Sequence, residues 1–129
     1  MNFPDELRYT QDHEWIKMET DDIAVCGITD FAQKELGDIV YVEIETMNES
    51  LKAGDSFGVI EAVKTTADLY MPVSGTVVEF NSILDENEGD EPGTINSSPY
   101  NDGWIVKIKV DDPADLEKLL DVDAYQEIL

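Results

Sequence analysis

Apolar, β-prone residues enter this chain mostly in short runs, and each run stops at a turn residue. Ile23-Ala24-Val25-Cys26 ends at Gly27, and Thr76-Val77-Val78-Glu79-Phe80 ends at Asn81. Ile39-Val40-Tyr41-Val42-Glu43-Ile44 gives way to the polar Asn48-Glu49-Ser50. Runs of this length, rich in β-branched and aromatic residues, form strands rather than helices. The chain is thereby confined to a mainly β fold, a sandwich or flattened barrel.

The elements follow in order. Trp15 to Glu19 alternates, Asp21-Asp22 supplies a turn, and Ile23 to Gly27 returns as the partner strand. Thr29 or Asp30 caps a short helix, Gln33 lies three residues after Asp30, and Gly37 ends it. Phe31 and Leu36 are its expected buried residues. Asp38 to Glu45 is the clearest strand, with Val40, Val42 and Ile44 facing the core. Ala53-Gly54-Asp55 and Met71-Pro72-Val73-Ser74-Gly75 mark bends, and Gly54 and Gly75 are expected to set them. Asn81 to Tyr100 carries no periodic pattern and includes the acidic stretch Asp85 to Glu91, a surface loop and the expected mobile part. Gly103 to Val110 alternates again. Asp112-Pro113 opens a C-terminal helix striped by Leu116, Leu119 and Leu120, and Asp123 caps a last turn through Tyr125.

One hairpin stands apart. Gly58-Val59-Ile60-Glu61-Ala62-Val63 leads to Lys64, and Thr65-Thr66-Ala67-Asp68-Leu69-Tyr70 leaves it. With no Gly or Asn between the two strands, a type I turn is expected there. A lysine at such a tip is a point of attachment rather than a catalytic pocket.

Composition removes several function classes. Eight basic residues against 30 acidic ones give the 129-residue chain a formal charge of −22. That surface repels phosphate backbones and anionic lipid, so neither nucleic acid nor membrane is expected as a partner. It favours basic partner proteins. No secretory segment opens the chain and no run is apolar enough to span a bilayer, which gives an expectation of a cytoplasmic protein. The single cysteine, Cys26, lies in a strand read as buried, so an internal disulfide is impossible and a reducing compartment fits. His13 has no second histidine for a metal cluster and no clear nucleophile beside it. His13 and Trp15 are read as packing and turn residues.

The chain resembles the glycine cleavage system H protein family of lipoyl carriers over nearly its whole length. The resemblance rests on Tyr9-Thr10 with His13-Glu14-Trp15, Gly27 to Gln33, Leu36 to Val42, Glu61-Ala62-Val63-Lys64-Thr65, Met71 to Gly75, Asn96 with Pro99-Tyr100, and Gly103-Trp104, in the family's order. It implies one lipoyl-carrier domain over residues 1–129, a barrel-sandwich hybrid with a short internal helix and a C-terminal helix. It implies lipoate in amide linkage on Lys64. It implies a non-catalytic shuttle of glycine catabolism and one-carbon metabolism. The glycine decarboxylase subunit (P protein) would load an aminomethyl group, and the aminomethyltransferase (T protein) would take it up. Dihydrolipoamide dehydrogenase (L protein) would then reoxidise the arm, which a lipoate ligase or a lipoyl or octanoyl transferase installs. Glu61 is a candidate recognition point for that installing enzyme, with a plain solvent-side strand carboxylate as the competing reading. Glu14 and Asp68 are candidates to hold the cationic amine of the loaded arm. The stretch from Leu84 to Pro92 is longer than the family's usual loop.

Other readings are weaker. A biotinyl carrier has methionine on both sides of its lysine, whereas Lys64 lies between Val63 and Thr65. The helix at Asp30 to Leu36, the C-terminal helix and the lack of a linker or neighbouring domain disfavour a lipoyl domain of a 2-oxo-acid dehydrogenase. A Schiff-base enzyme needs a desolvated lysine in a pocket. An H-like protein that only relays lipoate would use the same lysine and stays open.

Overall fold

The computed structural model describes residues 1–129. Nine strands form two antiparallel sheets. The larger runs in the order β1 (Arg8–Tyr9), β2 (Glu14–Met18), β3 (Ile23–Ile28), β9 (Val106–Val110), β8 (Gly75–Phe80) and β5 (Ser50–Leu51). The smaller is β4 (Ile39–Glu43), β6 (Ser56–Ala62) and β7 (Thr66–Tyr70). Alternation sends Ala24, Cys26, Ile108 and Val110 of one sheet, and Ile60, Ala62 and Leu69 of the other, into a shared core of 20 buried residues, and an irregularity at the start of β6 lets Phe57 join them. The result is the mainly β, flattened barrel-sandwich read from the sequence. Cys26 is buried in β3, and burial raises its thiol pKa. No helix is long and apolar enough to cross a membrane.

A second cluster covers the outer face of the large sheet. Leu7, Tyr9, Trp15, Val25 and Tyr125 pack there. Tyr9 and Leu120 exchange backbone hydrogen bonds of 2.9 and 3.0 Å, which docks the C-terminal segment on the sheet edge. Trp15 is thus a packing residue, with its indole N–H donating to the Pro99 carbonyl at 3.0 Å.

Several expectations need correction. Val40 points outward, 49% exposed, while Ile39 and Val42 are buried. A bulge between Ile39 and Tyr41 shifts the register, and one extra residue reverses the facing that simple alternation assigns. Gly54 does turn the chain, at φ 90°. Gly75 instead begins β8, where a Cβ would collide with the Lys109 carbonyl oxygen. Its role is close strand approach rather than bending. The segment after Asp112 is a 3₁₀ helix over Pro113–Lys118, followed by α3 (Val122–Glu127). Asp112 caps the first as expected, but Asp121, not Asp123, caps the second by accepting from the Ala124 amide at 2.9 Å.

Helix α1 (Asp30–Leu36) is capped by Thr29, whose hydroxyl accepts from the Ala32 amide at 3.1 Å. Gln33 is the buried residue of this helix, and Phe31 and Leu36 are only half-buried because they border an open groove. The stretch without periodicity contains a one-turn helix, α2 (Thr94–Ser97), that buries Ile95. From it Asn96 ties three segments together. Its Oδ1 accepts from the Ile39 amide at 2.9 Å, and its Nδ2 donates to Gln33 Oε1 at 3.0 Å and to the Gly37 carbonyl at 2.9 Å. This corner, where α1 meets β4, lies under the Lys64 hairpin. The acidic loop Asp85 to Glu91 folds into solvent-facing turns, with the Asn87 amide donating to the Asp85 carboxylate at 3.0 Å.

Candidate functional site: a hairpin tip beside an acidic groove

β6 and β7 pair antiparallel from Gly58 with Leu69 to Glu61 with Thr66. The Ala62 amide donates to the Thr65 carbonyl at 2.8 Å and closes the turn around Val63 and Lys64. No residue of this turn has a positive φ, in keeping with the absence of Gly or Asn. The tip is pinned, because the Val63 amide donates to the Asp38 carbonyl at 3.0 Å. Lys64 itself is exposed and takes part in neither of the two ion pairs of the chain. Its side chain lies over Gly37: a Cβ built there would sit 3.4 Å from Lys64 Cε. Gly37, at φ 83°, ends α1 where its last residue, Leu36, borders the groove.

That groove has a volume of about 440 Å³ and runs between α1, β7 and the turn before β2. Phe31, Leu36, Ala67 and Leu69 give it apolar walls. Asp12, Glu14, Glu35 and Asp68 bring four carboxylic acids, and no lysine or arginine lines it. Two candidates from the sequence, Glu14 and Asp68, are therefore brought together. Glu61 is not. It lies half-buried between Tyr41 and Thr66, outside the groove.

Glu14 is the unusual group. It is 3% exposed; its Oε2 accepts from the Tyr70 amide at 2.7 Å, and its Oε1 has no hydrogen-bond partner. Burial pushes its pKa up to about 8, against a lowering contribution from the Tyr70 amide and a further raising one from Asp12. A buried carboxylate oxygen without a donor is costly. In the empty groove the carboxyl therefore keeps its proton at neutral pH, and a cationic partner that displaces this proton meets a strong anionic acceptor. The geometry is a cation-receiving pocket within an apolar-walled groove beside an accessible lysine.

A family model described as Glycine cleavage H-protein matches residues 7–129. The chain belongs to the glycine cleavage H-protein family. Among its relatives, the glycine cleavage system H protein of Chlorobium limicola is 54% identical over 130 residues, covering 100% of this chain and 98% of the relative. The one from Bacteroides fragilis is 50% identical over 129 residues with the same coverage. The crystal structure of a glycine cleavage system H protein from Mycobacterium marinum superposes with a TM-score of 0.79 at 35% identity, covering 98% of this chain and 100% of that one. The likeness to H proteins thus takes in the hairpin, the groove and the C-terminal segment.

His13 is the packing and turn residue that the sequence predicts, in the bend before β2 and against Phe31, and it also lines the groove. It adopts φ 65°, a conformation that non-glycine residues rarely take. Sequence offers one faint signal for this: a lone histidine directly before a glutamate that turns out to be buried.

Proposed function

We propose that this chain is the lipoyl-bearing shuttle of the glycine cleavage system, with lipoate amide-linked to Lys64. The observation that carries the reading is the pairing of an exposed lysine on a pinned tip with a groove ending in the partnerless, buried oxygen of Glu14. When attached, the lipoyl group supplies a dithiolane that opens on reduction and accepts a one-carbon amine unit. The residues present suit such an arm. The tip offers an accessible amine, and amide formation there removes a charge that water already screens well. Phe31, Leu36, Ala67 and Leu69 cover the hydrocarbon of the arm and exclude water. Glu14 and Asp68 hold its cationic end. Glu61, on the strand leading to the tip, is offered to the enzyme that installs lipoate.

The chain performs none of the transfer reactions alone. It raises the effective concentration of the arm at the glycine decarboxylase, the aminomethyltransferase and dihydrolipoamide dehydrogenase in turn. The charge of −22 favours partners with basic docking faces. Residues 1–129 act as one carrier domain, working in the cytoplasm. A relay that only passes lipoate onward needs Lys64 but not an acid-lined groove, and the groove therefore favours the shuttle.

The test is glycine-dependent carbon dioxide exchange with a decarboxylase subunit and lipoylated chain. Exchange should appear with the wild-type chain and vanish in Lys64→Arg. No exchange by the lipoylated wild-type chain would leave only a relay.

A further inference from the structure

Tyr125, on the C-terminal helix, reaches the groove from behind. Its ring is fully buried, stacked on Tyr9 at 4.6 Å between centroids and touched edge-on by Phe3 at 5.6 Å. The ring is therefore held, and so is the direction of its hydroxyl. That hydroxyl lies 2.8 Å from Thr29 Oγ1 and 2.9 Å from His13 Nδ1.

Proton accounting gives this chain a direction. Thr29 is fully buried, and its oxygen already accepts from the Ala32 amide at 3.1 Å. Its single proton has one remaining acceptor, the Tyr125 oxygen. The Tyr125 proton must then go to His13 Nδ1. In the opposite direction the Thr29 proton would be buried with no acceptor, which folded proteins avoid. His13 Nδ1 is therefore an acceptor, and the ring carries its proton on Nε2.

We infer that Tyr125 is a positioning residue for the groove: through His13 Nδ1 it fixes the imidazole as the neutral Nε2–H tautomer, so that the one histidine lining the groove with Glu14 keeps its remaining ring nitrogen as a donor. The inference rests on the proposed carrier reading only for what the donor meets there, an acceptor atom of the arm such as its amide carbonyl or a sulfur. Burial of His13 lowers its pKa and works in the same sense, against the opposing fields of Asp12 and Glu35. Neutrality matters because an imidazolium on the groove wall would repel a cationic cargo held there. The other charged group lining this groove is Asp68, on β7. Phe31 also packs against the imidazole, with 4.7 Å between ring centroids. Together these contacts explain how His13 is kept in its left-handed backbone conformation.

Because the chain has one histidine, its ring nitrogens can be read without ambiguity by long-range proton–nitrogen NMR on the unmodified protein. The wild-type spectrum should show Nε2 protonated and Nδ1 bare near neutral pH, and Tyr125→Phe, which keeps the ring stacking, should show mixed tautomers. Thr29→Val should mix them too, and Thr29→Ser should restore the single form. In the loaded carrier, Tyr125→Phe should release formaldehyde about threefold to tenfold faster, the effect of one lost hydrogen bond. An Nδ1–H ring in the wild type, or a tautomer unchanged in Tyr125→Phe, overturns the inference whatever Lys64 carries. Failure of Lys64 to accept lipoate sinks the carrier reading and leaves the tautomer result standing.

Discussion

The Glu14 carboxylate is tied at one oxygen by the Tyr70 amide, at 2.7 Å, and is without a donor at the other. β7 therefore holds Glu14 in place from the strand that also carries Asp68. One atom is left for whatever enters the groove.

This arrangement makes stability depend on pH. The Glu14 carboxyl has an ordinary pKa of 4.5, raised to about 8 in the fold, chiefly by burial. Between those values the folded chain keeps a proton that the unfolded chain has lost. Stability should then fall as pH rises through that window, at up to about 1.4 kcal/mol per pH unit. Glu14→Gln retains an acceptor for the Tyr70 amide and has nothing to titrate. Urea unfolding at about pH 5 and about pH 8 should show the wild type losing stability relative to the variant. Parallel pH profiles would reject the assignment.

Glu14 and Asp68 should also govern how long the cargo survives. Replacing both by alanine should speed spontaneous unloading of the aminomethylated carrier by about tenfold or more, the worth of a charge-assisted hydrogen bond. The measurement is formaldehyde release after separation from the decarboxylase. An unchanged rate would assign these carboxylates to solubility alone.

Asn96 predicts a stability effect remote from chemistry. Its side chain answers the Ile39 amide, Gln33 and the Gly37 carbonyl. Asn96→Ala should cost about 2 kcal/mol in urea unfolding, because those groups lose their partner at a half-buried corner. A loss below about 0.5 kcal/mol would mean that water replaces the side chain freely.

Much of the fold was legible because short β-branched runs and turn residues act locally. The hairpin around Lys64 needed no tertiary knowledge: strand propensity and small residues after the lysine were enough. The facing of Val40 was not legible, since a bulge moves the register without any Gly or Asn to announce it. Phe31 and Leu36 have the spacing of buried residues, and only the assembled groove explains their partial exposure. The groove itself is built from segments around Glu14, Phe31 and Asp68, far apart in sequence. No local pattern encodes that meeting. Glu14 and Asp68 entered as candidates beside an implied arm, while His13 and Tyr125 stayed hidden. Their link spans 112 residues, and a burial pattern does not carry the direction of a proton.

Lys64 carries the central claim, and intact mass analysis with peptide mapping tests it most directly. After incubation with a lipoylating enzyme, the chain should gain one lipoyl group, found on the peptide containing Lys64 and absent in Lys64→Arg. A biotinyl mass there, a lipoyl group on another lysine, or no modification at all would contradict the carrier reading.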